Sequence, residues 1–161
     1  MNKSRLEHLL KEHHRDAFIW AGQCCNYDYE EAKEVLQQTY LKIFEKKAVY
    51  KERAAFKTWL FSVIRFTAID HIKKKSTFES LDRLNIVVEE QIEADQVNYR
   101  KLLSHLPERQ QQVLLLSFYH GMTLAEIAEI TKLHIGTVRT HYERGKDSLR
   151  TLILKKRNEQ I

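Results

Sequence analysis

The chain has 161 residues, 43% of them apolar, with only four Gly and one Pro; that allows one domain or two small ones and argues against a strand-and-turn fold. A net charge of +5 with a pI near 9.1 permits nucleic-acid binding without establishing it. No basic start leads into an apolar run, and no stretch approaches ~18 uninterrupted apolar residues, so neither a signal peptide nor a membrane-spanning helix is expected.

Ser4 is placed to cap a first helix with Leu6, Leu9, Leu10, His13 and Ala17 on one face, running on or restarting through Phe18, Ile19 and Trp20. The adjacent Cys24 and Cys25 lack a usual zinc spacing and read as two small buried hydrophobes in a reducing cytoplasm. Asn26 to Glu31 is a joint, with Asp28 as cap and Glu31 three residues on, as in a capping box. Ala32, Val35, Leu36, Thr39, Tyr40, Ile43 and Phe44 then recur at three- and four-residue steps and predict a buried helical face. The opposite face holds Lys33, Glu34, Gln37, Gln38, Leu41 and Lys42. Lys46 to Ala55 breaks the period and reads as a loop. Phe56, Trp59, Leu60, Val63, Ile64 and Thr67 mark the core stripe of the next helix, which ends in Lys73, Lys74 and Lys75.

Charge divides the chain into three parts. Residues 1–75 carry 15 basic and 10 acidic side chains, residues 76–98 one basic and six acidic, and residues 99–161 11 basic and 6 acidic. Two basic blocks held apart by an acidic segment have the form of two modules and a linker. The expected architecture is all-α: an N-terminal helical bundle over 1–75, an acidic linker over 76–91, and a C-terminal helix-turn-helix domain over 92–161. In that last domain a helix starts near Ile92 and includes Val97, Leu102 and Leu103. Pro107 suits the first turn of a second, Val113 to Tyr119 supply its apolar run, and Gly121 stops it.

Thr123 caps the next helix, with Glu126 as its capping-box partner. Leu124, Ile127, Ala128, Ile130, Leu133, Ile135, Val138 and Tyr142 can share one core only if two helices cross sharply after Thr131, which is helix-turn-helix geometry. Ala128 is small where the helices should touch. The outer face of the second helix then shows Gly136, Thr137, Arg139, Thr140, His141, Arg144 and Lys146. Its amide-rich N-terminus suits phosphate, Gly136 would let backbone come close to one, and Arg139, Thr140 and His141 lie where side chains reach base edges in a major groove.

Three blocks carry a resemblance: EEAKEVLQQTYLKIFEK, FKTWLFSVIRFTAIDHIKKK and LPERQQQVLLLSFYHGMTLAEIAEITKLHIGTVRTHYERGKDSLRTLI, in that order over roughly residues 5–155. Together they resemble the extracytoplasmic-function (ECF) group of bacterial sigma factors. The resemblance implies a subunit that binds core RNA polymerase at its clamp helices and flap, and that recognises and opens promoter DNA. The helix Ala32–Glu45 would meet the polymerase clamp through Glu34, Gln37, Gln38 and Leu41. The family usually has an acidic pair before this block and Gln-Glu within it, where this chain has Lys33-Glu34 and Gln37-Gln38. The helix Phe56–Lys75 would open and read minus-ten DNA through Thr58, Ser62, Arg65, Phe66, Ile69 and Lys73. Lys73, Lys74 and Lys75 would contact phosphates. Phe66 stands where the family commonly has Asn, and an aromatic there could stack on an unpaired base. Tyr50, Lys51 and Arg53 lie in the loop where the family captures a flipped base. The C-terminal domain would read minus-thirty-five DNA through His134, Gly136, Thr137, Arg139, Thr140, His141, Arg144 and Lys146. Here Lys132 and His134 replace the family's usual Gly and Ser. The acidic linker would thread along the RNA exit path, and an anti-sigma protein, usually membrane-bound, would hold the factor inactive.

An enzyme is not expected. His13-His14 is the only histidine cluster, adjacent histidines diverge on a helix, and there is no phosphate-binding Gly loop or nucleophile elbow. No cofactor is expected either. The second reading is a stand-alone LuxR-type regulator, whose recognition helix TVRTH also resembles; residues 1–90 show no strand–helix alternation for a receiver domain.

Overall fold

Asn2, not Ser4, caps the first helix: its Oδ1 accepts the Arg5 amide at 2.8 Å, two residues ahead of the expected cap. In this computed structural model, which describes residues 1–78 and 100–159, every regular element described is helical. The chain divides into two compact units. The first holds α1 (Lys3–Glu12), α2 (His14–Cys24), α3 (Tyr29–Phe44) and α4 (Phe56–Phe78). The helix does restart, at His14, after a break at His13, whose backbone leaves helical geometry at φ −99° and ψ 5°.

Helices α2, α3 and α4 pack pairwise. Trp20 and Phe61 are fully buried at the centre, stacked with centroids 5.6 Å apart, and the indole Nε1 donates to the Phe61 carbonyl at 3.1 Å. Val35, Leu36, Leu60 and Ile64 are among the other residues buried in this core, and burying Phe61 alone stabilises it by roughly 1.5–3 kcal/mol. Asp28 caps α3 as expected, accepting the Glu31 amide at 3.2 Å. The Glu31 side chain does not return the capping bond; it turns to α4 and pairs with His71 and Lys75.

The sequence stripe on α4 is rotated by about one residue. Phe61 and Ala68 are inside, Trp59 and Val63 are only half-buried, and Thr58 is 1% exposed. Thr58, Phe61 and Ala68 share a helical face, and α4 buries that face too because it packs against two helices rather than one. Helix α4 continues to Phe78, past the Lys75 boundary. The rest of the acidic linker, and the expected helix onset at Ile92 and Val97, lie outside the described residues.

The described residues of the second unit begin with a helical turn at 100–103. Pro107 stands just before α5 (Glu108–Leu114), which runs on as a π-helical turn, Leu115–Tyr119. The His120 amide returns to the Leu115 carbonyl at 3.1 Å and the Met122 amide to Leu116 at 2.9 Å. Gly121 sits between them at φ +68°, which glycine adopts without a Cβ clash. Thr123 and Glu126 form both bonds of a capping box at the start of α6 (Leu124–Thr131), at 3.1 and 3.0 Å. Lys132 makes the sharp turn in the left-handed region, φ 59°, and α7 (Ile135–Glu159) comes next. Leu103, Leu106, Leu114 and Leu115 form the core, with Tyr142, Leu149 and Leu152 of α7 packed on it.

Candidate nucleic-acid and protein interface

On α3 the residues Glu34, Gln37, Gln38 and Leu41 fall at steps of three and four, and all are exposed. Leu41, 54% exposed, is the apolar point of this face. Two of its polar members are tied to α4: Gln38 Nε2 lies 3.2 Å from His71 Nδ1, and Glu34 lies 3.5 Å from His71 Nε2. Glu31 joins from below, bonding His71 Nε2 at 2.5 Å and pairing with Lys75. Sequence reading misses this cluster, since Glu31 and His71 are 40 residues apart and only His13-His14 stands out as a pair. Those two histidines do diverge: His13 stacks on Phe56, and His14 Nδ1 lies 2.8 Å from the Tyr40 hydroxyl. Glu31, Glu34 and His71 bring possible ligand atoms within 4.8 Å of one another. The Lys75 ammonium already lies against Glu31, so the cluster reads as a polar network, one ion pair and the contacts of His71, that fastens α3 to α4.

The loop before α4 separates its three candidates. Lys51 and Arg53 are exposed, whereas Tyr50 is half-buried. The Tyr50 ring meets Phe56 edge-on at 5.3 Å and Trp59 at 5.2 Å, and its hydroxyl donates to the Ala54 carbonyl. Tyr50 and Trp59 also line an open cavity of about 810 Å³ with Met1, Leu6, Phe44 and Val49.

Along α4, Phe66, Ile69, Lys73 and Lys74 are exposed, while Ser62 and Arg65 are half-buried. Thr58 does not join them: it was expected on the DNA side, and the packing of α4 against two helices takes it inside. Lys75 is half-buried and lies against Glu31 of α3. Lys74 lies 3.2 Å from Asp70, one turn back. Exposed pairs of this kind are weak and leave the ammonium available to a phosphate.

On α7 the outer face is much as expected. His134, Thr137, Arg139, Thr140 and Arg144 are exposed; Gly136, His141 and Lys146 are half-buried. His134 Nδ1 accepts the Gly136 amide at 3.1 Å, so the imidazole does the work of a serine cap. A Cβ on Gly136 would stand 3.3 Å from that nitrogen, so Gly136 makes room for the cap. This amide is therefore already engaged rather than open to phosphate. His141 is turned partly inward, with Nδ1 shielded and making no hydrogen bond. Lys146 lies over the Tyr142 ring at 4.4 Å and 3.5 Å from Glu143. Thr137, Arg139, Thr140 and Arg144 thus remain as the side chains most able to reach a groove.

The geometry is a helical surface with exposed cations on α4 and a helix-turn-helix with an arginine-bearing second helix. Comparison with known proteins agrees with it. Residues 9–78 match the model for Sigma-70 region 2, and residues 96–149 match that for Sigma-70, region 4. RNA polymerase sigma factor SigV of Bacillus subtilis is 24% identical over 156 residues, covering 95% of this chain and 93% of that protein. ECF RNA polymerase sigma factor SigW of the same organism is 26% identical over 138 residues, covering 74% of each. Among solved structures, the sigma factor RpoE in complex with the anti-sigma factor NepR, from Bartonella quintana, superimposes with a TM-score of 0.72 at 18% identity, over 92% of this chain and 96% of that one. CnrH in complex with the cytosolic domain of CnrY superimposes with a TM-score of 0.66, also at 18% identity, over 94% and 89%.

Proposed function

The chain belongs to the ECF group of the sigma-70 family, a promoter-recognising sigma factor and not an enzyme, and from that premise we propose how its surfaces divide the work. The outer face of α3, centred on Leu41 with Glu34, Gln37 and Gln38, binds the clamp helices of core polymerase. The exposed side of α4 with Lys51 and Arg53 of the preceding loop takes the minus-ten DNA. Arg139, Thr140 and Arg144 of α7 take the minus-thirty-five DNA, with His134 setting where that helix begins. The second unit also meets the polymerase flap.

The observation that carries this reading is the order of the two matched blocks. A helix-turn-helix alone could belong to a regulator of the LuxR type, but residues 9–78 match a sigma module and not a receiver or ligand-binding domain. The acidic segment between the modules suits a basic channel built for RNA, from which a growing transcript would displace it. Among the described residues no helix is long and apolar enough to cross a membrane, and action beside the polymerase supports a cytoplasmic location. An anti-sigma protein would silence it by covering α3 and α4.

Run-off transcription tests the reading. Core polymerase with this chain should yield transcripts from discrete start sites that core polymerase alone does not give. If the purified chain protects a duplex site at nanomolar concentration and core polymerase adds nothing, the protein acts as a stand-alone regulator instead.

A further inference from the structure

His71 lies in the C-terminal half of α4, its side chain only 12% exposed. Both ring nitrogens face α3. Nε2 lies 2.5 Å from Glu31 Oε2 and 3.5 Å from Glu34 Oε2, and Nδ1 lies 3.2 Å from Gln38 Nε2. The last contact joins two nitrogens, so one must give a hydrogen to the other. The amide nitrogen of Gln38 has only hydrogens to offer, which makes Nδ1 the acceptor. The ring's own hydrogen then sits on Nε2 and goes to the Glu31 carboxylate; this tautomer is assigned from the end of the amide that faces the ring. The other Glu31 oxygen is taken by Lys75. Glu31 thus anchors the ring from one side and leaves it an acceptor toward Gln38.

Gln38 is exposed on the outer face of α3. Its amide has a donor end and an acceptor end, and His71 takes the donor end. What remains for a partner is the carbonyl Oε1, one turn from the exposed Glu34 carboxylate. We propose that His71 is a positioning residue for polymerase binding: it orients the Gln38 amide so that this face offers hydrogen-bond acceptors beside Leu41, and so favours a partner surface of donors such as arginine or lysine; this rests on the reading of α3 as the clamp-binding helix. The block that resembles the sigma family has Gln37-Gln38 where Gln-Glu is usual. An oriented glutamine supplies the acceptor that a carboxylate would give, without its charge. The plainer role of His71, fastening α3 to α4, needs only the Glu31 bond and gives no reason for the ring to engage an exposed amide.

The test titrates core RNA polymerase with the full chain in the absence of DNA. His71→Leu frees the amide to turn and should weaken binding roughly twofold to tenfold, the effect of ordering one long side chain. Gln38→Ala should weaken it at least as much, and His71→Leu should then add nothing, since both changes remove the same contact. His71→Asn should restore binding, because its oxygen can accept from Gln38 although the Glu31 bond is not rebuilt. In Gln38→Glu either oxygen accepts whichever way the group turns, so binding should hold and His71→Leu should cost it nothing. That background also separates orientation from stability: a destabilised first unit loses affinity with any residue at position 38, an unoriented amide only with Gln38 in place. Equal losses from His71→Leu in all three backgrounds, or none where Gln38→Ala has one, overturn the proposal and leave His71 a fastening between helices. Binding unchanged by Gln38→Ala takes Gln38 off the clamp face and overturns it too. If the wild-type chain does not bind core polymerase, the reading of α3 itself fails, and that result is seen before any variant is compared.

Discussion

Cys25 closes α2 and faces inward, and burial pushes its thiol up from 9.0 to about 11; Asp28 adds to the shift and Lys75 opposes it. Burial also raises the Tyr40 hydroxyl from 10.0 to about 12. Both groups are neutral when protonated, and both hold their protons longer in the folded chain than in the unfolded one. The unfolded state therefore releases protons first, and stability falls as pH rises. The Cys25 contribution is whole below about pH 9 and is lost as pH climbs through about 11; that of Tyr40 goes between about 10 and 12. The melting temperature of the first unit should be level to about pH 9 and fall beyond it, and Cys25→Ala should flatten the first part of that fall. Parallel curves for the two proteins through this interval would show that the buried thiol is not the cause. The inward position of a small apolar residue such as Cys25 could be read from sequence, because composition and spacing are local. The burial of Thr58 could not. It depends on α4 being enclosed by α2 and α3 together, and a stripe count assumes one partner. The Glu31–His71–Lys75 cluster was hidden for the same reason: its members come from two helices that only the fold brings side by side.

The turn between α6 and α7 carries Lys132 and His134 where the resemblance implies Gly and Ser, and each takes its own part in the turn. Lys132 occupies a left-handed conformation, φ 59° and ψ 26°, which costs a residue with a Cβ roughly 1–2 kcal/mol. Glycine would avoid that cost but would gain freedom when unfolded, so Lys132→Gly should stabilise the turn by less than about 1 kcal/mol. His134 works in the other direction. Its Nδ1 satisfies the Gly136 amide, and removing a cap costs about 1 kcal/mol. His134→Ala should speed amide exchange in the first turn of α7, while His134→Ser should keep it close to wild type. Exchange is the proper measure, since a chain of two units need not unfold in one step. Equal exchange in His134→Ala and wild type would mean that the imidazole bond adds nothing in solution. Elements of this kind were largely open to sequence reading. Asp28 and Thr123 announce α3 and α6 through residues three apart, and both caps form. The π-helical turn at Leu115–Tyr119 gave no such signal, because its wider register leaves the apolar run looking like ordinary helix.

Two basic modules flanking an acidic segment imply a division of labour that a substitution in one module can expose. Arg139 and Arg144 are exposed on α7, and neither belongs to the surface proposed to meet the clamp. An arginine that reads a base edge supplies about 1–3 kcal/mol of discrimination. Arg139→Ala should therefore lower initiation at promoters with a good minus-thirty-five element by roughly fivefold to a hundredfold. It should have little effect where that element is scrambled. If Arg144 instead meets a phosphate, Arg144→Ala should weaken binding to all promoters alike and reduce the slope of log affinity against log salt by about 1. Neither change should alter the affinity of the free chain for core polymerase, which a titration without DNA reads directly. The comparison must be made at one fixed salt concentration, because phosphate contacts at low salt would mask the loss of a single base contact. A fall in polymerase affinity that matches the fall in initiation would mean that α7 also holds the enzyme, and that the two modules do not act as separate contacts.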